Sequence, residues 1–222
     1  MNRGLQDMIA QGEHQQQDFK YKITDAPKLA RSVSAFANTD GGRLLIGVRD
    51  DGSIHGVRSE EEIFMMHAAA CKYCTPVPTI KFETLHVPTE PHGGHLRTVV
   101  ICTILPSDQR PVMALEDDRH TAYIRVADEN IVASPVHLAI WRQEARLRGE
   151  AYADSPEEHA LLNCLNQHPK GLPLNALLKA AGAINERPLP RPLAITLLAR
   201  FVRFGLARIL RSDQQWLFLP AE

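Results

Sequence analysis

The sequence predicts an α+β protein, with a mainly antiparallel sheet in its first part and a small unit of three helices and a β-hairpin after it. Two observations carry that expectation. Apolar segments with strand alternation interleave with segments of helical period up to about residue 150, and beyond it helix signals run together before two short strands. At 222 residues, 44% hydrophobic and 23% charged, the chain can bury a substantial core.

The elements follow in order. Leu5, Met8 and Ile9 share a helical face that Gly12 ends. "QDFKYKI" alternates, with Phe19, Tyr21 and Ile23 on one side and Asp18, Lys20 and Lys22 on the other. "APKLARSVSAFAN" reads as a helix with Leu29, Val33 and Phe36 inward, and "RLLIGV" as a central strand. Asp51-Gly52 is hairpin chemistry, with "SIHGV" as the returning strand. "SEEEIFMMHAAACKYC" reads as a helix opened by a capping box, Ser59 to Glu62. "TIKFETLHV", "LRTVVICTIL" and "TAYIRV" read as strands, and "SPVHLAIWRQEARLR" closes the first part as a helix. Asn38, Gly41, Gly42, Gly47, Gly52 and Gly56 are the structural residues of the turns around the central strand.

"GEAYADSPEEH" marks a boundary, since Ser155-Pro156-Glu157-Glu158 is a capping box with proline at the first helical position. The expected domains are 1–150 and 151–222. In the second, "SPEEHALLNCLNQH", "LPLNALLKAAG" and "RPLAITLLARFVRFG" are helices, and "LARIL" and "QQWLFL" form a hairpin turning at Ser212-Asp213. Three helices and a hairpin is the winged-helix order, so Arg191, Arg200, Arg203, Arg208 and Arg211 are candidate nucleic-acid contacts, with Arg200 and Arg203 on one helical side. A compact helical module that never meets DNA has the same pattern.

Composition excludes several classes. No apolar run approaches the ~20 residues of a membrane span, and "MNRGLQDMIAQGEHQQQ" has no signal-peptide core, so a cytoplasmic protein without membrane partners is expected. Net charge is −1, so a nucleic-acid surface has to be a local patch. Cys71, Cys74, Cys102 and Cys164 are too scattered for a disulfide scaffold. His67, Cys71 and Cys74 lie along one helix without the second ligand pair of a structural zinc site, which makes buried helix cysteines the expectation. His86, His92 and His95 fall in and around a polar loop. Gly41-Gly42 is followed by Arg43 and leucines, which is no phosphate-cradling P-loop, and no nucleophile elbow occurs.

"GEHQQQDFK", then "SAFANTDGGRLLIGVRDDGSIHGV", then "RPVMALEDDRHTAYIRVADENIVASP" occur in the order that resembles the AlbA_2 family, relatives of the Schlafen core. The resemblance spans about Leu5 to Arg148 and implies nucleic-acid binding. With a winged-helix tail it is similar to bacterial members described as transcriptional regulators, which implies a non-catalytic DNA-binding regulator, with DNA ahead of RNA as partner. An alternative is implied by Schlafen-type ribonucleases. There Glu13, Asp18 and Asp50 (or Asp51) would hold Mg²⁺ or Mn²⁺ with Lys20 assisting, and Asp18 stands where the family pattern has glutamate. Clustered carboxylates are the hard oxygen ligands such an ion takes. Lys20 and Lys22 are also candidate phosphate contacts. Asp18 and Lys20 share a strand face, whereas Glu13 has to enter from the turn after Gly12. A third reading is a homodimeric interaction scaffold.

Overall fold

The computed structural model describes residues 3–88, 95–144 and 155–221. The loop histidine His92 and the end of the "RQEARLR" segment lie outside them. The chain divides into two compact units, Met1–Ala133 and Ser134–Glu222.

The first unit runs α1 (Arg3–Ala10), β1 (Gln17–Lys20), α2 (Ala26–Asn38), β2 (Gly42–Ile46), α3 (Ser59–Tyr73), β3 (Cys74–Thr75), β4 (Ile80–Pro88), β5 (Leu96–Ile104), β6 (Met113–Glu116), β7 (Arg119–Val126) and β8 (Glu129–Val132). Its strands form two four-stranded sheets, ordered β1-β2-β5-β4 and β3-β6-β7-β8. Every pairing is antiparallel except β1 with β2, which α2 connects as a parallel crossover. The expected α+β class with a mainly antiparallel sheet is therefore the observed one.

α2 occupies the middle of the unit. Every residue from 32 to 38 is buried, and Val33 and Phe36 share one core with Leu44, Ile46, Val100, Cys102, Ala114 and Tyr123. On the opposite face of the first sheet, Leu5 of α1 packs with Phe19, Leu45, Val99 and Ile101. The strand expected at "SIHGV" does not form. One bridge, Val48 to Ile54, remains; His55 and Gly56 both donate to the Gly47 carbonyl, and Val57 donates to Thr98, so the segment crosses toward β5. The capping box at Ser59 is also absent. Arg58 precedes α3 without a side-chain cap, and the Glu62 carboxylate instead accepts the Ile23 N–H at 2.9 Å. Of the paired cysteines, Cys74 is buried and Cys71 exposed.

The second unit contains α4 (Pro135–Glu144), α5 (Pro156–Gln167), β9 (Leu172–Pro173), α6 (Leu174–Ile184), α7 (Arg191–Arg203), β10 (Ala207–Ser212) and β11 (Gln215–Pro220). Ser155 caps α5, accepting the Glu158 N–H. The antiparallel sheet is ordered β10-β11-β9. Asp213 and Gln214 turn the hairpin with positive φ, a two-residue geometry that suits strand twist. α4 packs along α7, with Val136 in the core of Leu161, Leu197, Leu198, Phe201 and Phe218. The division consequently falls at 133/134, ahead of residue 150.

Candidate nucleic-acid interface

The polar centre of the first unit lies where β1 meets β7. Asp18 points to the α2 side of its sheet, as its pairing opposite Leu44 requires. Only 5% of the residue is exposed. Arg125 enters from β7 with a side chain 1% exposed, and its Nη2 donates to Asp18 Oδ1 at 3.1 Å. The same guanidinium donates to the Gln17 carbonyl at 3.3 Å and to Asn130 Oδ1 at 2.9 Å, and lies over the Phe36 ring. Lys20 pairs with the other Asp18 oxygen. Asp18 is thus no solvated strand face, but the anion of a buried ion pair joining two sheets.

Glu13 enters from the turn after Gly12, as the spacing requires. Its Oε1 accepts the Phe19 N–H at 2.8 Å, which caps the open edge of β1. Partial desolvation raises the Glu13 pKa. The neighbouring Asp18 carboxylate adds to this, against the opposing pull of the Phe19 N–H and Lys20. Asp50 is exposed in the turn after β2, on a cavity shared with Tyr21, Arg49 and Asp51. A divalent ion held by Glu13, Asp18 and Asp50 does not fit these residues. Asp18 is already held between two cations, Glu13 Oε1 is used on backbone, and among the described residues no three potential ligands gather. Adding a dication beside a buried guanidinium would leave that guanidinium without its counter-charge.

The Asn-Thr-Asp-Gly-Gly stretch serves packing. Asn38, expected from sequence at a turn, is the last residue of α2 and is 3% exposed. Its Nδ2 donates to the Val112 and Tyr123 carbonyls at 2.8 and 2.9 Å, and its Oδ1 accepts the Val112 N–H at 2.7 Å. Ser34 Oγ donates to Val112 and accepts from Tyr123 N, so α2 hydrogen-bonds the backbone of the second sheet from its own side chains. Gly42 is required by close approach, since a Cβ there would sit 2.3 Å from the Phe36 ring.

Beside this network a cavity of about 300 Å³ opens between β1, the start of α2 and β8. Its lining includes Lys20, Lys22, Asp25, Lys28, Arg31, Ser32 and Asn130. Asp25 is the N-cap of α2, accepting the Lys28 N–H at 2.9 Å. Arg31 grips Glu116 through two hydrogen bonds and Lys20 is tied to Asp18, so surplus positive charge rests on the exposed Lys22 and Lys28. Asn130 links the cavity wall to the buried pair, donating to Ser32 Oγ at 2.9 Å while accepting from Arg125. Lys28, Arg31 and Gln17 have no signal in the sequence, whereas Arg125 is the arginine of the Tyr-x-Arg in the stretch that carries the family resemblance. A cation in the otherwise apolar "AYIRV" is the physical side of that signal.

The second-unit arginines separate. Arg200 does not face outward; its guanidinium pairs with Glu158, and their side chains are 12% and 1% exposed. Arg203 donates to Gln143 Oε1 of α4 at 3.4 Å. Gln143 in turn donates to the Thr196 carbonyl at 3.1 Å, so α4 lies against the α7 side that carries Thr196 and Arg203. Arg191 is exposed and bonded to Asn175 at 2.5 Å. Arg208 is exposed on the hairpin, and Arg211 lies over the Trp216 ring. Among the described residues, no helix is long and apolar enough to cross a membrane.

Comparison with known proteins assigns a family to the first part of the chain. The family model "Schlafen, AlbA_2" matches residues 13–134. One solved structure with a likeness is the DIP2311 protein of Corynebacterium diphtheriae, at 19% identity and a TM-score of 0.39, covering 71% of this chain. The chain spans 30% of the length of that protein. No curated protein matches. The family suggests a nucleic-acid-binding role. With more than half of its length matched, this chain belongs to the Schlafen AlbA_2 family.

Proposed function

We propose that the protein binds nucleic acid without cleaving it, as a DNA-binding regulator whose first unit holds backbone phosphates. The observation that carries this reading is the cavity beside β1, where the exposed Lys22 and Lys28 stand beside the ion-paired Lys20 and Arg31 on a protein of net charge −1. A local basic site on a near-neutral chain supplies the phosphate contacts from which most affinity derives. The order of elements in the second unit supports a winged-helix reading, in which the hairpin, with Arg208 and Arg211, adds a contact while α4 keeps α7 back. The ribonuclease reading has less support, because the carboxylates it needs are spent on cations and backbone.

Fluorescence-polarisation titrations test this with labelled duplex DNA, single-stranded DNA and hairpin RNA, with and without Mn²⁺, the probes being run on a gel afterwards. Salt-sensitive binding with intact probes is the expected result. Mn²⁺-dependent shortening of RNA, abolished by Asp50→Ala, would replace this reading with catalysis.

A further inference from the structure

Resting on that reading, the geometry points to a single-stranded nucleic acid as the ligand of the first unit, with backbone phosphate in the basic cavity and an unpaired base on a stacked cluster around Tyr21. Tyr21 directly follows β1, between Lys20 and Lys22, and its ring meets residues of the turn after β2 and not those lining the basic cavity. It is 38% exposed. The His55 ring lies 4.3 Å from its centroid, and the Arg49 guanidinium lies over it at 5.2 Å. His55 and Arg49 are both exposed. Tyr21 and Arg49 line an open cavity of about 500 Å³ whose remaining lining is Asp50 and Asp51.

Two sites of opposite character result, connected along the chain by Lys20, Tyr21 and Lys22. One is cationic and suits phosphate. The other combines aromatic and guanidinium planes, the surfaces on which unstacked bases lie. The two carboxylates at its edge repel phosphate, so a strand is oriented with its backbone toward Lys22 and Lys28 and a base toward Tyr21. A duplex cannot use the second site, because its bases are stacked within the helix and reach a protein ring only when extruded. The acidic turn singled out in the sequence thereby acquires a role in orienting the ligand.

The test uses the full chain with a short single-stranded DNA carrying one 2-aminopurine, and the same sequence as a labelled duplex. Stacking on the cluster should quench the 2-aminopurine on binding. Tyr21→Ala should abolish the quench and weaken single-strand affinity by about 5- to 150-fold, leaving duplex affinity unchanged, whereas Tyr21→Phe should retain both quench and affinity. Lys22→Ala with Lys28→Ala should weaken both probes. Unchanged single-strand binding in Tyr21→Ala, or equal losses on both probes, overturns the stacking site while leaving the phosphate cavity intact. Unchanged binding in the lysine variant overturns the cavity itself. Displacement of the strand by AMP at matching concentrations would identify a free-mononucleotide site and overturn the strand assignment.

Discussion

Replacing Asp18 by alanine should destabilise the first unit severely, for reasons legible in the packing around Arg125. The Arg125 side chain is 1% exposed, and Asp18 is its counter-charge at 3.1 Å. Without that carboxylate the guanidinium keeps the Gln17 carbonyl, Asn130 and the Phe36 ring, but carries an uncompensated charge in the interior. Breaking a buried pair from one side costs about 3–5 kcal/mol. Lys20, whose side chain is 35% exposed, loses its partner more cheaply because water replaces it. For a unit of this size the loss corresponds to a Tm lower by roughly 6–20 °C. Trp141 and Trp216 both belong to the second unit, so tryptophan fluorescence would miss the change. Hydrogen exchange at the Phe19 and Arg125 amides, combined with far-UV circular dichroism melts, reads it directly. Asp18→Ala with Arg125→Met should recover more than half of the loss, since an apolar pair removes the buried charge. A loss below about 1 kcal/mol for Asp18→Ala would refute the reasoning.

Arg200→Ala should destabilise the second unit by about 3–5 kcal/mol through the stranded Glu158 carboxylate, visible in tryptophan-monitored urea unfolding; weaker DNA binding at unchanged stability would show Arg200 to be a surface contact after all. Asn38→Ala leaves the Val112 N–H and the Tyr123 carbonyl without their partner and should cost about 2–6 kcal/mol, read as faster exchange along β6 and β7. Burial holds the His137 pKa down at about 4, below its usual 6.5. The unfolded chain therefore binds more protons in that interval. Stability of the second unit, full above pH 6.5, should fall by about 3 kcal/mol as pH drops toward 4. Trp216, edge-on to His137 at 4.8 Å, reports the transition, and His137→Phe should remove this slope.

Much of the architecture was visible in the chain because its signals are local. The amphipathic α2, the Ser155 cap and the six-residue strands of the hairpin each state themselves within a dozen residues. The short strands β3, β6, β8 and β9 did not, because two to four residues carry too little period to read. The candidate site was half legible. The alternation of "DFKYK" placed Asp18 and Lys20 on one face, but their partner Arg125 lies 107 residues further on. Lys28 looked like any solvated helix residue until the fold set it beside Lys22. Arg200 misled for the opposite reason: helical spacing gives an azimuth, and only the tertiary position of Glu158 shows that this azimuth is inward.

The account rests centrally on phosphate binding in the cavity beside β1, and the salt dependence of affinity tests it most directly. Single-stranded DNA titrated over a range of salt concentrations gives a slope of log K against log salt, with about 0.7 contributed by each neutralised phosphate. Lys22→Ala with Lys28→Ala is expected to lower that slope by about one to two while leaving the melting of both units unchanged. A slope and affinity identical to the unsubstituted protein would contradict the assignment of the cavity as the phosphate site.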